Sequence, residues 1–196
     1  MGKRKHLDRI EALFNKSPVV SFSSLKRIIN VNGKTDYTKV LINNLTKQGK
    51  IKKITKGCYT KHNDNNLSVF CFKPAYLGLQ AALSFHHLWE QETIPVIITT
   101  KKTRVGIRTA LGGNILIRRI SQKYFFGFEY YQEGDFYFPY SDIEKTLIDL
   151  VVFKEPLSSS TLKEIKKRID RKKLLTYLKH YPPKTQNKVL ELLSDK

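Results

Sequence analysis

Acidic residues are scarce in this chain. It holds 17 Asp and Glu against 36 Lys and Arg, a formal net charge of +19 over 196 residues. The stretch 75–153 reads as helix, strands and helix. Metal-dependent cleavage would need carboxylates and a lysine gathered on those strands. The strand expected over 115–120 carries Arg118 and Arg119 instead, and the next carries only Glu129. Cysteine is also sparse. Cys58 and Cys71 stand far apart without a metal-ligand spacing, so two reduced thiols are expected rather than a disulfide or a metal site. No apolar run approaches the ~20 residues that span a bilayer. The basic Met1–His6 stretch leads into a charged helical pattern, not an apolar signal core. A soluble, cytoplasmic protein is the expectation, with no membrane contact. Gly112-Gly113-Asn114 lacks the pattern of a phosphate-binding loop and reads as a tight turn. His86 and His87, adjacent on an expected helix, point about 100° apart and make no metal pair. Ser141, Asp142 and Glu144 read as a helix cap before they read as acid–base groups. No catalytic residue, metal site or cofactor is assigned, and the chain is not expected to be an enzyme.

What is abundant is positive charge, and it is unevenly spread. Met1–His62 contains 15 basic residues against Asp8, Glu11 and Asp36, a net of +12. The remaining two thirds of the chain nets +7. Concentrated positive charge attracts phosphate backbones by releasing counterions. An anionic membrane or an acidic partner is served by the same charge, so the local pattern has to decide.

Leu7, Ile10, Leu13 and Phe14 recur at helical spacing, and Pro18 ends that helix. Ser21 or Ser23 is placed to cap a second helix with Leu25, Ile28 and Ile29 inward. Val31-Asn32-Gly33-Lys34 reads as a turn. Thr35 then caps a third helix to about Gln48, which Gly49 ends. Ile51, Ile54, Cys58 and Tyr59, divided by Thr55-Lys56-Gly57, read as a β-hairpin. Three helices and a hairpin in about sixty residues outline a winged helix-turn-helix whose third helix would lie in the major groove. On that helix Tyr37, Leu41, Ile42 and Leu45 form the stripe expected to face the core. Asp36, Lys39, Val40, Asn43 and Lys47 fall opposite. Asn and Lys read base edges, and Val40 suits a thymine methyl. Lys34, Thr35 and Thr38 sit at the first turn, where phosphate is held. Lys50, Lys52, Lys53 and Lys56 arm the hairpin for backbone or minor-groove contact.

Asn63-Asp64-Asn65-Asn66 is polar and turn-rich, which sets two domains, 1–62 and 67–196. In the second, a short strand is expected over 67–72 and a helix over 75–91, opened by Pro74. Strands are expected over 94–100, 114–120, 124–131 and 136–140, with a basic loop at Lys101–Arg108 between the first two. Ser141 and Glu144 form a capping box for a helix over 142–153, on which Asp149 would meet Arg118 or Arg119. Three short helices follow, over 161–169, 171–181 and 183–193. The fold class is therefore α+β: an N-terminal winged helix-turn-helix, then an α+β domain with an antiparallel or mixed sheet and C-terminal helices. The aromatic run Tyr124–Phe138 reads as sheet core. The basic run Lys163–Lys173 reads either as a solvated face or as an extension of a nucleic-acid footprint.

The order of segments resembles the AbiEi antitoxin and transcriptional regulator family of type IV toxin–antitoxin systems. The likeness rests on Gly49-Lys50-Ile51 with Gly57-Cys58-Tyr59, on Pro74-Ala75-Tyr76-Leu77-Gly78 with Ala82-Leu83, and on Val96–Lys101. Phe126-Gly127 and Ser141–Leu150 complete it, and it covers nearly the whole chain. The resemblance implies a winged helix that binds inverted repeats in double-stranded promoter DNA and represses transcription. It further implies a C-terminal region that counters a nucleotidyltransferase-like toxin without a stable complex. Two other readings stand beside it: an antitoxin or interaction module whose winged helix contacts protein or RNA, and a degenerate nuclease.

Overall fold

The helical spacing of Leu7, Ile10, Leu13 and Phe14 is realised in α1 (Gly2–Lys16). A computed structural model describes residues 2–29, 35–91 and 93–194, and only the backbone of 2–5, 35 and 36. The chain forms two compact units, Met1–Cys71 with Thr109–Asn114, and Phe72–Arg108 with Ile115–Lys196.

In the first unit α1 is followed by β1 (Val20–Ser21), α2 (Phe22–Ile29), α3 (Thr35–Lys47), β2 (Lys52–Thr55) and β3 (Cys58–Thr60). The Ser21 hydroxyl accepts from the Ser24 N–H at 3.1 Å, so Ser21 caps α2. The turn expected over Val31–Lys34 lies outside the described residues. Gly49 ends α3 at φ +70°. Its N–H donates to the Thr46 carbonyl and that of Lys50 donates to Leu45, both at 3.0 Å, a Schellman closure. The core joins Ile10, Phe14, Leu25, Ile29, Ile42 and Leu45 to Val20 and Ile51. Each such side chain contributes about 1.5–3 kcal/mol by leaving water.

The second unit contains β4 (Ala75–Leu77), α4 (Gln80–Phe85), β5 (Val96–Thr99), β8 (Phe128–Glu133) and β9 (Phe136–Ser141), together with β6 (Gly106–Ala110) and β7 (Gly113–Arg119) apart from their residues within Thr109–Asn114. The helices α5 (Ile143–Phe153), α6 (Ser159–Arg168), α7 (Arg171–Leu178) and α8 (Pro183–Leu193) follow. The strands form one sheet ordered β6-β7-β5-β4-β9-β8. The β5/β7 and β4/β9 pairs are parallel, whereas β4/β5 and β8/β9 are antiparallel. The sheet is therefore mixed, and the chain is α+β.

Several expectations are corrected here. Residues 67–72 are not a strand: Asn65–Phe72 is 3-10 helical. The Asp64 carboxylate accepts from the Asn66 N–H at 2.8 Å and starts that turn. The helix expected over 75–91 is reduced to Gln80–Phe85. Ala75, Tyr76 and Leu77 are instead the strand β4, paired with Thr99, Ile98 and Ile97 and buried on both faces. The basic loop after β5 ends in a strand, β6, with Ile107 exposed. Tyr124 lies in a 3-10 turn, and β8 begins only at Phe128.

Helix α5 organises this unit. Its residues Glu144–Leu150 are all buried, as expected of a helix enclosed on every side. The cap is Asp142, not Ser141: its Oδ1 accepts from the Lys145 N–H at 2.7 Å. Ser141 is the last residue of β9, and its hydroxyl pairs with Thr146 at 2.8 Å. Glu144 turns away from the helix start and accepts from the Asp170 N–H at 2.8 Å, at the beginning of α7.

Candidate nucleic-acid interface

Burial of α3 on one side determines what it presents on the other. Ile42 and Leu45 are buried and Leu41 packs beside them. At 100° per residue the remaining arc holds Tyr37, Lys39, Val40, Asn43, Asn44 and Lys47, and all six are exposed. Val40 is 57% accessible, a large apolar side chain held in water. Four of the six, Lys39, Val40, Asn43 and Lys47, are the outer-face residues read from sequence. Tyr37 and Asn44 are additions. Tyr37 was expected in the core stripe but is 40% accessible; it lies at the end of the stripe, 40° beyond Leu41 on the wheel. Asn44 is exposed as well, because its angle falls between those of Val40 and Tyr37.

Thr38 is a correction in the opposite sense. It was expected to hold phosphate at the first turn, yet it is fully buried. Its angle places it with Ile42 and Leu45. Its hydroxyl finds no hydrogen-bond partner among the described residues. Lys34 lies outside the described residues, and only the backbone of Thr35 and Asp36 is described.

The hairpin is fastened before it is armed. Val20 and Ser21 of β1 pair with Tyr59 and Cys58 of β3. The Phe22 N–H donates to the Gly57 carbonyl at 2.8 Å, tying the turn to the start of α2. Gly57 has φ +79°, the left-handed conformation that glycine adopts without strain. Ile54 is buried and Tyr59 partly so; burial, then the Cys58 thiol beside it, pushes the Tyr59 phenol above its ordinary value. On this base Lys50, Lys53 and Lys56 are exposed. Lys52 is half-buried and donates to the Asn63 side chain. Lys61 bonds Glu11 at 3.2 Å and sits over the Phe14 ring, so it serves the unit's own structure.

The remaining candidates for chemistry resolve into structure. His86 Nε2 meets the Ser141 carbonyl at 2.8 Å, and burial pulls its pKa down. His87 is exposed with φ +54°. Asp149 does not contact Arg118 or Arg119. It accepts from the Tyr76 hydroxyl at 2.7 Å and pairs with the Lys145 ammonium, all three residues being fully buried. Burial pushes Asp149 and Tyr76 up and Lys145 down, while their mutual attraction holds the charged pair. The Lys145 ammonium also lies over the rings of Tyr76 and Phe126, at 5.5 and 5.6 Å. Gly127, at φ +72°, leaves room beside it: a Cβ there would approach Lys145 and Tyr177 to 2.9 Å.

Arg118 pairs with Glu155. Asp142 Oδ2 accepts from the Tyr177 hydroxyl at 2.8 Å and pairs with Lys173 at 3.0 Å. Burial, then the Asp142 hydrogen bond, pushes Tyr177 up to about 12. Burial draws Lys173 down, but Asp142 outweighs it and the ammonium titrates above its ordinary value. The aromatic strands divide as a sheet core does. Phe138 and Tyr140 are buried and Phe128 stacks on Tyr76, while Tyr130 and Tyr137 face out. Cys58 and Cys71 form no disulfide. No group of three or more metal-ligating side chains occurs among the described residues, nor any helix long and apolar enough to cross a membrane.

No family model and no curated protein matches the chain. Among solved structures it is similar to the RV2827C protein from Mycobacterium tuberculosis. The TM-score is 0.57 at 13% identity, over 96% of this chain and 76% of that one. At that identity the likeness establishes shared architecture and nothing about what either protein binds.

Proposed function

We propose that the chain is a DNA-binding transcriptional regulator whose first unit is a winged helix-turn-helix. In this reading α3 enters the major groove and the β2–β3 hairpin is the wing. The observation that carries it is the outer arc of α3: Lys39, Val40, Asn43 and Lys47 exposed together, in the same unit as exposed Lys50, Lys53 and Lys56. Asn43 reads base edges, Val40 meets a thymine methyl, and the lysines hold phosphates. Following the AbiEi resemblance, the protein represses its own promoter at inverted repeats and works in the cytoplasm. It counters a nucleotidyltransferase-like toxin without a stable complex and without catalysis of its own.

A gel-shift titration with its own promoter tests this across a salt series. The expected result is salt-sensitive binding to the inverted repeats, at least about 10³-fold tighter than to a scrambled duplex. Equal affinity for every duplex rejects a specific regulator, and no shift rejects DNA binding.

A further inference from the structure

The second unit carries a groove of about 770 Å³ between α6 and α8, with the end of α5 beneath it. Leu150, Val151, Leu162 and Leu192 supply apolar lining. Lys154, Lys163, Lys166 and Lys188 stand around it, and Lys154, Lys163 and Lys188 are exposed. Two carboxylates also line it, Glu155 and Glu191. Glu155 is committed to Arg118 and Lys166 donates to the Ser194 carbonyl at 3.1 Å, which leaves Glu191 as the acidic residue opposing Lys154, Lys163 and Lys188.

We propose that this groove is a docking site for an acidic amphipathic helix of a partner protein. Shape, apolarity and charge each narrow the occupant. The flanking helices have 10 and 11 residues, about 15 Å of length, which suits two to three turns of a third helix. An apolar stripe at i, i+3, i+4 and i+7 would meet the leucines, with carboxylates on its flanks meeting the lysines. Nucleic acid is a poorer fit, because neither an aromatic ring nor an arginine lines the groove. A small inorganic anion would leave the leucines unused. A second copy of this chain would set lysine against lysine in a protein of net charge +19. The proposal is independent of the DNA-binding reading, since all of these residues lie in the second unit.

The probe is a fluorescein-labelled synthetic peptide of about 14 residues, with Leu at i, i+3, i+4 and i+7 and Glu on the flanking positions. Fluorescence anisotropy with the full chain should give saturable binding, with Kd on the order of 10 μM. Lys163→Glu with Lys188→Glu should weaken it at least about tenfold, while the promoter gel shift stays unchanged. Both lysines are exposed, so this variant should retain the fold; Leu162→Glu, checked by circular dichroism, should abolish binding. Absence of binding overturns the proposal. So does equal binding of a scrambled peptide of the same composition, or insensitivity to the lysine substitutions. Displacement of the peptide by a random DNA duplex would reassign the groove to nucleic acid. Displacement by decanoate at lower concentration would reassign it to a small amphiphile, and self-association lost in the same variants would reassign it to a second copy.

Discussion

Lysine serves opposite ends in the two units. In the first, Lys47, Lys50, Lys53 and Lys56 project into water from the end of a helix and from a hairpin. In the second, Lys145 is fully buried against Asp149, and Lys173 is held by Asp142 and Glu144. A lysine count therefore says little about function. Exposed lysines set a long-range, salt-screened attraction for phosphate. A buried lysine is bound to its own carboxylate because leaving either charge alone out of water costs several kcal/mol.

The largest effect is expected at Lys145. Lys145→Ala leaves Asp149 buried with only the Tyr76 hydroxyl, and should cost about 3–5 kcal/mol in urea unfolding. Removing both charges, Lys145→Met with Asp149→Leu, should recover most of that; a loss under about 1 kcal/mol in the single variant would contradict a fully enclosed pair. In the first unit, Lys53→Glu with Lys56→Glu should leave stability nearly unchanged. It should weaken binding to every duplex alike and flatten the salt dependence by about one unit of slope per lysine. Asn43→Ala should reduce discrimination between promoter and scrambled DNA by about 1–3 kcal/mol, with the salt slope retained. If affinity for both duplexes drops together, Asn43 is a backbone contact.

Thr38→Val gives a smaller effect still. The hydroxyl is buried and unpartnered, so stability should shift by no more than about 1 kcal/mol and DNA binding should not change. Reduced affinity would restore Thr38 to the interface. The smallest effect belongs to His86. Burial holds its folded pKa below the ordinary imidazole value, so the unfolded chain takes the proton first. That contribution is present above about pH 6.5 and is lost as pH falls through that value and below. His86→Gln should flatten the stability profile between about pH 7 and pH 5; an unchanged profile assigns that slope to other groups.

Local periodicity made the first unit readable. The spacing of Ile10 and Phe14, of Leu25 and Ile29, and of Ile42 and Leu45 is the spacing of one helix face, and those faces meet in the core. Gly49 and Gly57 stand where the chain needs positive φ. The outer arc of α3 followed by subtraction, apart from Tyr37, at the edge of the buried stripe, and Thr38, within it between Leu45 and Ile42. Residues 67–91 carry a weaker local signal. Ala75-Tyr76-Leu77 is buried on both faces, and a short strand of that kind has no period to tell it from a helix. The Ser141–Glu144 motif was recognised as a helix start, but the cap moved by one residue. The Ser141 hydroxyl turns to Thr146 and Glu144 reaches α7.

The chain alone determined the apolar faces of the first unit's helices and how unequally the positive charge is shared. Those properties follow from neighbours a few residues apart. Tertiary structure decided which charges face water and which face one another. Tyr76 and Asp149 meet across 73 residues of sequence, and Asp142 meets Tyr177 across 35. A buried charge is tolerable only beside a partner, and the fold, not the local spacing, brings that partner within reach.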